Sequence, residues 1–153
     1  MVKKKLISLK SPTYVNLTLT DSCNQRCFFC YLDCKPKKNF VPVSRLKKII
    51  DKCSDAEVFE INLFGGEPTL YPDFIEIAKY CKDRGFIVGS SSNGQLINES
   101  FINRVGDYID GFAIAIHGFR DTHDKITGKK GSFEHALKVV AVSYTHLTLP
   151  TKA

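Results

Sequence analysis

The chain has 153 residues, enough for about one domain with a buried core, and its 43% hydrophobic and 25% charged content is ordinary for a soluble globular protein. No apolar run approaches the ~18 residues that a membrane span requires, and the lysine-rich N-terminus lacks a signal-peptide core, so no membrane association is expected and a cytoplasmic protein is. The formal charge of +6 is scattered over Lys3 to Lys5, Lys35, Lys37, Lys38, Lys47, Lys48, Lys129 and Lys130 rather than gathered with aromatics, so nucleic acid is not an expected partner.

After a basic lead-in, residues 14–20 alternate, with Val15, Leu17 and Leu19 on one face and Asn16, Thr18 and Thr20 on the other, which predicts a strand. It is followed by Cys23-Asn24-Gln25-Arg26-Cys27-Phe28-Phe29-Cys30, three thiols within eight residues. In a reducing compartment such clustering favours metal over disulfides. Three thiolates on a cube of iron and sulfide would leave one iron open for a substrate. Cys34 offers a second possibility, four thiolates closing on a structural zinc ion. Lys35, Lys37 and Lys38 follow directly and could steer an acidic electron donor such as flavodoxin or ferredoxin.

Ser44 is the expected cap of a first helix that carries Leu46, Ile49, Ile50 and Cys53 at helical spacing. A second strand is predicted over 58–64, with Phe59, Ile61 and Leu63 opposite Glu60 and Asn62, broken by Gly65-Gly66-Glu67-Pro68. A helix over 73–84, striped by Phe74, Ile77, Ala78 and Cys81, stops at Gly85. A third strand over 86–91 ends in Ser90-Ser91-Ser92-Asn93-Gly94, and Asn98 can cap a helix through Val105. The fourth strand, 112–116, leads through a polar loop to Ser132, the expected cap of a helix with Phe133, Ala136, Leu137 and Val140 in register. Cys53 and Cys81 sit on apolar stripes and read as small core residues.

Strand and helix thus alternate four times, the pattern of a parallel α/β sheet. The strand face bearing Asn16, Thr18, Glu60, Asn62, Ala113, Ala115 and His117 is too polar to lie under helices, which argues against a doubly wound sheet buried on both faces. A curved, barrel-like sheet with helices outside fits better, and the unusual stretches all fall at the C-terminal ends of strands, where such folds place their sites. Residues 143–153 (SYTHLTLPTKA) interrupt the helical period with threonines and a proline. They resemble translated sequencing-adapter read-through and are expected to be a non-native tail behind an N-terminal fragment, 1–142, of a larger enzyme.

The three cysteines at this spacing, with Phe29 before the last and GGEP after the next strand, resemble the radical S-adenosylmethionine (SAM) superfamily, in particular its peptide and protein maturases with an added SPASM-type domain. The resemblance implies a partial (β/α) barrel, four of the usual six units. It also implies that Cys23, Cys27 and Cys30 ligate a 4Fe-4S cluster whose fourth iron chelates SAM. One electron from the cluster would then cleave SAM to a 5′-deoxyadenosyl radical that abstracts hydrogen from a substrate, such as a peptide or protein. By the same resemblance Phe29, Gly65, Gly66, Glu67, Pro68, Ser92, Asn93 and His117 line the SAM pocket. Phe29 would pack on adenine and Glu67 accept from the SAM ammonium, while Cys34 is a bystander. Gly128 to Phe133 resembles the family's helix entry, with Asp121, His123 and Asp124 bracing it. The fourth strand carries Ala115 where many relatives have serine. The alternatives are a non-catalytic zinc or iron-sulfur binding module, or an inactive truncated fragment of such an enzyme.

Overall fold

The computed structural model describes residues 9–32, 34 and 39–147, with backbone alone at 145–147. The lysines at 3–5, 35, 37 and 38 lie outside the described residues, as does 148–153. Four strands, β1 (Tyr14–Thr20), β2 (Glu60–Gly65), β3 (Ile87–Ser92) and β4 (Gly111–Ile114), pair in parallel in the order β1-β2-β3-β4. Five α-helices occur among the described residues: α1 (Val43–Asp55), α2 (Phe74–Lys82), α3 (Glu99–Val105), α4 (Asp121–Thr127) and α5 (Ser132–Leu147). The sheet is open and matches a partial barrel. No helix among the described residues is long and apolar enough to cross a membrane.

Register explains the two faces. Leu17 pairs with Leu63, Leu63 with Ser90 and Ser90 with Phe112, so these positions share the face that packs on helices. There Leu17, Leu19, Ile61, Leu63 and Val88 are buried against Leu46 and Ile50 of α1, Phe74, Ile77 and Cys81 of α2, and Phe101, Ile102 and Val105 of α3. Cys81 is wholly buried, which pushes its thiol up to about 12, as a core cysteine should be. The opposite face is polar: Asn62 donates to Asn16 Oδ1 at 2.8 Å and to Ser91 Oγ at 3.1 Å, a rung of side chains across β1, β2 and β3.

Several local expectations change. Ser44 does not cap α1; Pro42 occupies that position, with no side-chain cap bond. Proline fixes φ, and here its carbonyl accepts from Arg45 and Leu46 and starts the helix. Asn98 does cap α3, accepting from the Phe101 N–H at 2.8 Å. β2 starts at Glu60 because Phe59 and Glu60 both donate to the Thr13 carbonyl, and Phe59 stays exposed. The stretch 121–127, read as loop, is a helix, ended by Gly128 at φ +65°. α5 is capped by Asp124, whose Oδ1 accepts from the Phe133 N–H and Ser132 Oγ, not by Ser132 alone. α5 buries Phe133, Ala136 and Val139 and exposes Leu137 and Val140. The helix is apolar at 136, 137 and 139–142, so period alone does not choose its face. It runs to Leu147, past position 142.

Leu63 is fully buried at the centre of the sheet. Leu63→Ala is expected to lower unfolding free energy by about 2–5 kcal/mol in urea titrations, with Phe59→Ala on the exposed flank costing far less.

Candidate functional site

The ends of β1 and β2 are held together because two turns are pressed against each other. The Gly66 N–H donates to the Thr20 carbonyl at 2.8 Å and the Glu67 N–H to the Ser22 carbonyl at 2.8 Å. Only glycine allows this. A Cβ on Gly66 would collide with the Ser22 carbonyl oxygen, and Gly65 sits at φ +146° with the Thr20 carbonyl where its Cβ would be. The turn after β2 therefore rests on the loop that carries Cys23.

That loop has a second support. The Arg26 N–H donates to the Thr127 carbonyl at 3.0 Å and the Phe28 N–H to the Ile126 carbonyl at 3.2 Å, so the last turn of α4 holds the cysteine loop from behind. The helix-end carbonyls, which lack intrahelical partners, are satisfied in the process.

Between these supports lies an open cavity of about 380 Å³. Cys23, Cys27 and Cys30 line it, with Phe29, Gly65, Gly66, Ser92, Asn93, Ala115 and His117. Phe29 meets the His117 ring edge-on at 4.9 Å. His117 is braced in turn by buried His123, whose Nδ1 accepts the His117 N–H at 3.1 Å and whose ring stacks on His117 at 5.7 Å. Burial pushes the Cys23 and Cys27 thiols above their ordinary value. A metal would displace those protons, since the ligand is the thiolate.

Glu67 and Pro68 are not among the residues lining the cavity. Glu67 is fully buried: Oε1 accepts from the Thr69 N–H and hydroxyl and, at 2.7 Å, from the Ser92 hydroxyl, while Oε2 accepts from the Asn93 N–H at 2.8 Å. Burial pushes its carboxyl upward against those donors. Its visible work is to clip the turn after β2 to the end of β3.

Cys34 stands beside the three thiols. Its Sγ is 3.8 Å from that of Cys30, both line a smaller cavity of about 260 Å³ with Cys23 and Cys27, and burial with the Cys30 contact pushes its thiol up to about 12. A tetrahedral zinc site, with Zn–S near ~2.3 Å, needs every sulfur pair about that close. Among the described residues no group of three or more histidine, cysteine, aspartate or glutamate side chains is gathered for a single ion. Cys23, Cys27 and Cys30 line the larger cavity, and all four cysteines line the smaller one.

Two features escaped the sequence reading. The α4 platform looked like a polar loop, and only the Gly128 stop marks it. Gln25 is 95% buried among the cysteines, and a polar residue in a loop gives no sign of that.

A family model described as the radical SAM superfamily matches residues 17–144. Fe-coproporphyrin III synthase of Methanosarcina barkeri is 31% identical over 132 residues, covering 84% of this chain and 33% of that protein. Mycofactocin maturase MftC of Mycobacterium tuberculosis is 34% identical over 137 residues, covering 86% and 34%. The crystal structure of Streptococcus suis SuiB bound to precursor peptide SuiA superposes with a TM-score of 0.71 at 21% identity, covering 82% of this chain and 29% of that one. The chain thus spans about a third of the length of these two curated relatives.

Glu67→Ala strands buried donors of Thr69, Ser92 and Asn93 and is expected to cost at least about 2 kcal/mol in unfolding free energy, with Glu67→Gln, which keeps an acceptor, costing less. Burial holds His123 below its ordinary value. Stability carried by its neutral form is therefore complete above the unfolded value of about 6.5 and falls as pH drops toward the folded one. The thermal midpoint is expected to fall on acidification below that value, and less steeply in His123→Asn.

Proposed function

The chain belongs to the radical SAM superfamily, whose cofactors are a 4Fe-4S cluster and SAM, and from that premise we propose that it is the cofactor-binding part of an enzyme that modifies a peptide. Cys23, Cys27 and Cys30 are the proposed cluster ligands. The observation that carries the reading is that all three thiols line one cavity with the glycine turn and the end of β3. The donor chemistry fits: three thiolates that line one cavity, and a buried Gln25 Nε2 without a partner.

When bound, the cluster and SAM would supply reductive cleavage of the sulfonium and hydrogen abstraction from the substrate. The chain's own residues hold and shield. Gly65 and Gly66 admit a ligand against bare backbone, Phe29 and His117 form an aromatic wall, and Ser92 and Asn93 edge the cavity from β3. Glu67 and Pro68 act by fixing the turn, Glu67 through the bonds described above. The cavity wall is mostly apolar apart from the thiols and the β3 end.

A peptide substrate is supported by the likeness to mycofactocin maturase and to SuiB bound to its precursor peptide. A small acidic reductant such as flavodoxin or ferredoxin and a cytoplasmic location complete the proposal, since the thiols need a reducing compartment. We also propose that residues 1–142 carry the radical SAM unit and that 143–153 are foreign to it. The second reading is a zinc module, favoured by one observation, the 3.8 Å approach of Cys30 and Cys34.

Anaerobic reconstitution with iron and sulfide separates the two. About four irons per chain are expected, with 5′-deoxyadenosine appearing on addition of SAM and dithionite. Cys27→Ser is expected to abolish iron uptake and Cys34→Ser to leave it intact. A colourless protein that takes up zinc through all four cysteines would end the enzyme reading.

A further inference from the structure

Gln25 and Asn93 both approach the cysteine sulfurs. Asn93 Nδ2 lies 3.7 Å from Cys23 Sγ and gives its other hydrogen to Asn24 Oδ1 at 2.7 Å. Its orientation is fixed at both ends: its backbone N–H is held by Glu67 Oε2, and its own Oδ1 accepts from the Gln95 N–H at 3.0 Å. The amide is therefore aimed at Cys23 as a donor rather than resting there by default.

Gln25 lines both cavities around the cysteines and is almost wholly buried. Its backbone N–H lies 3.4 Å from Cys23 Sγ, and its Oε1 accepts from the Cys27 thiol at 3.9 Å. Its Nε2 has no partner. A buried amide donor left unpaired is costly, so the group needs an acceptor in the loaded protein. Metal binding supplies one: a ligand sulfur has no proton and can only accept. Turning the amide over puts Nε2 where Oε1 now meets Cys27.

We propose that the side-chain amides of Gln25 and Asn93 are N–H···S donors to the sulfurs of Cys27 and Cys23 and that together they set the reduction potential of the cluster those cysteines hold. This rests on the assignment of Cys23, Cys27 and Cys30 as ligands of a 4Fe-4S cluster. The physical reason is charge. One electron taken from the reductant makes the cluster more negative, and N–H dipoles pointed at its sulfurs stabilise that added charge more than the oxidised form, raising the potential. Both residues are positioning residues, acting through the thiolates.

The test uses the full chain, reconstituted anaerobically without SAM and titrated with dithionite while the reduced cluster is followed by electron paramagnetic resonance. Gln25→Leu and Asn93→Leu each remove the donor, add no charge and keep most of the bulk. Each is expected to move the midpoint potential to lower values, and the double variant further. Unmoved potentials in variants that hold four irons would overturn the proposal alone. Failure of the unsubstituted chain to take up four irons would instead overturn the ligand assignment and the proposal with it. Should neither variant fold, the unsubstituted protein decides: with ¹⁵N confined to the side-chain amides of glutamine and asparagine, the reduced cluster is expected to show ¹⁵N couplings, and their absence would refute the donors.

Discussion

The contact between the glycine turn after β2 and the loop after β1 governs the rest of the site. Backbone meets backbone there, through the Gly66 and Glu67 N–H groups and the Thr20 and Ser22 carbonyls, at a separation that leaves no room for a side chain. Because both partners are main chain, the contact fixes where Cys23 begins and where the turn faces. Glu67 then reaches sideways to Ser92 and Asn93, so the ends of β2 and β3 are joined through one buried carboxylate while its backbone N–H ties in the loop after β1. A carboxylate so placed stabilises only while every donor stays paired. The site and the fold are therefore one network, not a scaffold with a site added.

The broad plan was legible in the chain. The alternation of Leu17, Leu19, Ile61 and Leu63 with polar neighbours marked a sheet with one helix-covered face, and Asn16, Asn62 and Ser91 do meet across the other. Glycine runs, serines and cysteines at strand ends pointed to one locus, since residues of that kind weaken strands and have to be placed for another reason. Asn98 was legible as a cap because its bond is local, three residues long.

What stayed hidden was decided by contacts distant in sequence. Glu67 looks like a free acid beside a glycine turn, and only the fold shows it surrounded by Thr69, Ser92 and Asn93. Residues 121–127 carry three charged side chains among seven and no apolar stripe, so no period announces a helix; the pairing with Arg26 and Phe28 gives it a purpose. The face of α5 was undetermined for the opposite reason, too many apolar positions. Gln25 is legible only once burial is known, because an amide on a surface and an amide between sulfurs are the same letter.

The support that α4 gives the cysteine loop has a consequence for how the molecule comes into being. The carbonyls that hold the Arg26 and Phe28 amides belong to Ile126 and Thr127, about a hundred positions downstream. During synthesis the cysteine segment emerges first and waits for its platform, a pairing of high sequence separation that forms late. Until α4 has left the ribosome the loop presents its three thiols without their backing, so its final form is a late product of synthesis rather than an early one.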